Sequence, residues 1–80
     1  MDDQEVLTRI KELVDEEHAL ERAHIGEGLA PEEHQRMQRI EVALDQCWDY
    51  LRQRRARRDA GEDPETAQLR PPEIVETYDQ

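Results

Sequence analysis

From Asp2 to Ile25 the chain has no glycine or proline, and its apolar residues fall at helical spacing. Val6, Ile10, Leu13 and Leu20 lie on one line, with Leu7, Val14 and Ile25 beside it. The pattern predicts a helix over about residues 3–25. Asp2 followed by Glu5 has the form of a capping box, and both acids suit the positive end of the helix dipole. Gly26-Glu27-Gly28-Leu29-Ala30-Pro31 then breaks the pattern with two residues that accept positive φ and a proline suited to a first helical turn. Met37, Ile40, Leu44, Cys47 and Leu51 resume it in steps of three and four, with Trp48 on the flank. A second helix over about 31–60 follows, stopping at Gly61 with Arg57 and Arg58 near its negative end. Its weak point is the N-cap, where Ala30 offers no side-chain acceptor.

So short a loop forces the helices antiparallel, with lengths of roughly 36 and 42 Å. Counted outward from the loop, facing partners sum to about 57. Leu20 then meets Met37, Leu13 meets Leu44, Ile10 meets Cys47, Val6 meets Leu51, and Asp2 and Asp3 approach Arg54 and Arg55. Apolar meets apolar and acid meets base along the whole length, an agreement between levels that marks a foldable pattern. The apolar arc of the first helix spans about 140 to 160°, wider than one neighbour covers. The expected fold is all-α: a helical hairpin in residues 1–61 that pairs with a second copy into a four-helix bundle, Trp48 lying nearest the interface.

Residues 62–80 hold three of the four prolines and read as a tail with short helical segments. Asp63-Pro64-Glu65 forms a capped turn, and Pro72 can start a short helix whose Ile74, Val75 and Tyr78 share a face. That face either packs on the bundle or folds onto a partner.

Composition narrows the choices. With 80 residues, 40% charged and 35% hydrophobic, the chain alone builds a core worth about 3 to 5 kcal/mol, which again favours a homodimer. No apolar run approaches the roughly 20 residues of a membrane span. One cysteine cannot pair within the chain and the first twenty residues are acidic, so the expected setting is the cytoplasm. The formal charge is −10, and the five arginines within 52–58 leave −15 for the rest. That balance disfavours nucleic acid as a partner and favours a structural role, with Arg52, Arg54, Arg55 and Arg58 bridging to Asp2, Asp3, Glu5 and the tail. The competing use of the patch is docking an acidic protein surface.

The candidate chemistry lies at the loop end. Glu17, Glu21, His24 and Glu33 gather near the apolar line, and Glu21-Arg22-Ala23-His24 is a Glu-x-x-His spacing of the kind ferritin-like di-iron and di-manganese bundles use. Two copies could assemble an iron or manganese site. Against it stand the single occurrence of the motif, the ease with which acidic helices generate it, and Arg36, placed to neutralise Glu21. The leading expectation is no cofactor and no catalysis. Cys47, in the seam without a nearby histidine, reads as a buried inert thiol.

Val14-Asp15-Glu16-Glu17-His18, the block Leu44-Asp45-Gln46-Cys47-Trp48-Asp49-Tyr50-Leu51 with the arginines after it, and the ending from Gly61 to Tyr78 resemble a family of short actinobacterial proteins known as domain of unknown function 2630. The resemblance implies a compact bacterial cytoplasmic protein and carries no activity. The function expected is a small non-catalytic interaction or regulatory protein. Its proposed contacts are Trp48, Arg52, Arg54, Arg55 and Arg58, with Ile74, Val75 and Tyr78 of the tail.

Overall fold

The computed structural model describes residues 1–23 and 28–73. Helix α1 spans Asp3–Ala23, and its start is a true capping box: the Glu5 amide donates to the Asp2 carboxylate at 2.8 Å while the Asp2 amide donates to Glu5 at 3.3 Å. Helix α2 spans Pro31–Asp59. Ala30, extended at its N-cap, contributes only its carbonyl and its amide. The carbonyl accepts from Glu33 and His34, each at 2.9 Å, and the amide donates to the Glu33 carboxylate at 3.1 Å. Gly61, at φ 76°, reverses the chain after α2 in a conformation that side chains resist. Asp63 then caps a 3-10 turn, Pro64–Thr66, by accepting from the Glu65 amide at 3.0 Å. Among the described residues there is no strand. The expected helix ends at Ile25, and the face of Ile74, Val75 and Tyr78, lie outside those residues.

Val6, Ile10 and Leu13 of α1 close on Ile40, Cys47, Tyr50 and Leu51 of α2, and Ala67 of the tail completes the buried cluster. Each fully buried aliphatic side chain contributes roughly 1.5 to 3 kcal/mol, so this list holds most of the stability available to a slab measuring 50 × 25 × 16 Å. Val14, Leu20, Ala43 and Leu44 are only partly covered. Leu7 and Trp48 remain 39% and 42% exposed.

The tail does not leave the hairpin at Gly61. It runs back along the face of α2 opposite α1, fixed at successive turns. Gln53 donates to the Gln68 carbonyl at 2.7 Å, Arg70 Nε donates to Asp49 at 2.9 Å, and Gln46 donates to the Arg70 carbonyl at 3.1 Å. Pro72 then lies beside Gln38 and Val42. Helix α2 is therefore the middle layer, with α1 on one side and the tail on the other.

Candidate functional site

Apart from the half-buried Arg57, the arginines at the end of α2 divide into two groups. Arg54, 4% exposed, donates to Asp3 at 2.6 Å and to Glu65 at 3.1 Å, which ties α1 and the 3-10 turn to α2 through one guanidinium. Arg58 donates to the other oxygen of Asp3 at 2.9 Å. The Arg54 hydrogen bond, and after it that of Arg58, holds the Asp3 carboxyl below its usual value, and Asp3 in turn raises Arg54. These two arginines take the structural role. Arg52 and Arg55 project from the exposed side of the same turns, next to Trp48.

Asp49, 1% exposed, is held by a two-pronged bond from Arg70 and by Gln53 at 3.0 Å. Those contacts, the arginine's foremost, depress its carboxyl against the opposing effect of burial. Cys47 is buried and its thiol is pushed up by desolvation, as an inert core thiol should be.

The two flanks of the hairpin differ. At 100° per residue, Leu7 and Val14 of α1 share one flank with Met37, Leu44 and Trp48 of α2, giving a shallow apolar strip. The other flank carries an open groove of about 440 Å³ at the loop end. Leu13, Ile40 and Ala43 form its apolar floor, and Arg9, Glu16, Arg36 and Arg39 its walls. Arg36 reaches Glu16 at 3.8 Å, not the expected Glu21, and Arg9 reaches Glu12 at 3.4 Å. These pairs are exposed and long, so they hold the arginines loosely. Towards the chain termini the same flank is closed by Tyr50, whose hydroxyl donates to the Met1 carbonyl at 3.2 Å, and by residues 64–67.

The loop-end carboxylates are not gathered. Glu33 spends an oxygen on its own helix cap, Glu17 is half-buried and Glu21 is exposed. Among the described residues no three His, Cys, Asp or Glu side chains stand where they could hold a metal ion, and His24 lies outside those residues. No helix among them is long and apolar enough to cross a membrane.

The model of a family described as protein of unknown function (DUF2630) matches residues 2–80. The chain belongs to this family. An uncharacterized protein of Mycobacterium bovis and uncharacterized proteins of two Mycobacterium tuberculosis strains are each 53% identical to it over 78 residues, covering 95% of this chain and 88% of each relative. No solved structure matches. Members of the DUF2630 family at this similarity carry no assigned activity, so the chemistry of the site must be read from its own residues.

The groove arginines escape a reading of local charge because each is flanked by uncharged residues in the sequence. The signal that finds them is the antiparallel register. Arg9 and Glu16 are seven apart on one side of α1, and Arg36 and Ala43 are seven apart on the matching side of α2.

Proposed function

We propose that the protein is a non-catalytic interaction module that receives an acidic amphipathic helix of a partner in the groove of Arg9, Arg36 and Arg39. The supporting observation is the groove itself: walls of three arginines and one glutamate over an apolar floor, in a chain of net charge −10. The α1 wall runs from Arg9 to Glu16, seven residues or roughly 10 Å, which accommodates about two turns of helix. An acidic helix would bury its apolar ridge on Leu13, Ile40 and Ala43 and set carboxylates between the guanidinium groups. Ile74, Val75 and Tyr78 of the tail supply a second contact surface in this reading, while Trp48, Arg52 and Arg55 stand on the other flank and take no part in it. The buried thiol of Cys47 supports a reducing, cytoplasmic setting.

The test is fluorescence anisotropy with a labelled synthetic helix that alternates leucine ridges with glutamates. Saturable binding is expected, weakened about tenfold or more by Arg36→Glu with Arg39→Glu, two exposed changes that leave circular dichroism unaltered. Equal binding of a scrambled peptide of the same composition would overturn the proposal.

A further inference from the structure

The opposite flank carries a separate feature. Leu7, 39% exposed, and Trp48, 42% exposed, are two of the largest apolar side chains in solvent, and they stand on the same strip as half-buried Val14, Met37 and Leu44. The described residues of the tail leave the strip uncovered, since they occupy the far side of α2. Its exposed charges are biased by end, with Asp59 the one acid on that face of α2 beside the terminal arginines. Arg52 and Arg55 lie exposed towards the chain termini, while Glu21 and Glu41 lie exposed towards the loop.

We infer that this strip is the seat of a second copy of the chain, placed antiparallel about a two-fold axis that crosses α2 next to Leu44. The apolar residues of the strip centre on that level, so the axis lays each strip over its own equivalent, as a closed isologous pair requires. It also sets Trp48 of one copy over Glu41 of the other, where the indole covers the glutamate stem, and brings Arg52 and Arg55 level with Glu21 of the second copy. The parallel alternative stacks the two acidic loop ends on each other. In a chain carrying −10, end-to-end reversal is the arrangement that opposes unlike charges. The result is a four-helix bundle whose two arginine grooves face outward. The inference does not depend on what occupies those grooves.

Sedimentation equilibrium of the full chain tests the pairing, with a mass twice the 9.5 kDa chain expected. Trp48→Glu, an exposed change, is expected to weaken association by about thirtyfold. Arg52→Glu with Arg55→Glu weakens it about tenfold at low salt, and adding Glu21→Arg with Glu41→Arg restores it. Spin labels on Asp59→Cys in a Cys47→Ser background measure the direction: about 40 Å between labels supports the antiparallel pair. A monomer at every concentration, a dimer indifferent to Trp48→Glu, failure of the charge-reversed rescue, or labels within about 20 Å would each overturn the inference. None of these outcomes bears on the peptide titration of the groove, so failure of one reading leaves the other standing.

Discussion

At the end of the hairpin near the chain termini, Val6, Ile10, Cys47, Tyr50, Leu51 and Ala67 are buried, and three chain segments meet at Arg54. Towards the loop, beyond Leu13 and Ile40, the facing residues Leu20 and Met37 are only half covered and the cross-helix ion pair is 3.8 Å long. Both halves began with the same alternation of apolar and charged positions. What separates them is a third layer: the described part of the tail runs along α2, and its Ala67 joins the buried cluster at the terminal end. Two helices side by side cover one line of contact, and only where a further segment arrives does the contact become a core.

The largest effect is expected where all three layers meet. Leu51→Ala, at a side chain 1% exposed, should cost about 3 kcal/mol in urea unfolding, against about 1 kcal/mol for Leu20→Ala. Equal losses would erase the distinction between the halves. Arg70→Ala comes next, at about 2 kcal/mol, because it strands the Asp49 carboxylate in a buried site. Replacing both Asp49 and Arg70 by leucine should cost less than Arg70→Ala alone, as removing a buried charge together with its partner avoids that penalty.

Acid should act on the same end. Asp3 and Asp49 both have carboxyls held below their ordinary values by arginine hydrogen bonds. The unfolded chain therefore takes up protons first as pH falls. This stabilisation is complete above the unfolded carboxyl value near about 4 and is lost as pH drops through the lower folded values. Hydrogen exchange across that window should show protection at Val6 and Leu51 falling faster than at Ile40. The smallest change sharpens the comparison from the other side. Ala30→Ser adds the missing acceptor at an extended N-cap and should stabilise α2 by about 1 kcal/mol, read from the urea midpoint.

The hairpin was legible in the sequence because its signals are periodic. The spacing from Val6 to Leu20 and from Met37 to Leu51, the glycine break and the cap at Asp2 each point to the same helices, and the register that sums to about 57 places Asp3 at Arg54, where the structure has it. The path of the tail was less visible. Gln46, Asp49 and Gln53 line a helix face that looks solvated by residue type, yet their partners are tail carbonyls and Arg70. Polar side chains that satisfy a neighbouring backbone resemble, in sequence, those that satisfy water. The groove arginines were hidden for a related reason: Arg36 and Arg39 share a face of α2, but Arg9 joins them only once two distant turns are aligned.

The bond between Asp49 and Arg70 joins residues 21 positions apart, with the cation made later. Until the tail docks, Asp49 on the outer face of α2 lacks the group that neutralises it. The Asp3–Arg54 pair needs only residues 1–54, whereas the outer face of α2 is complete only with Arg70 in place. A chain cut short of Arg70 would therefore keep the Asp49 charge uncompensated on α2, and its loss of stability measures what the tail contributes.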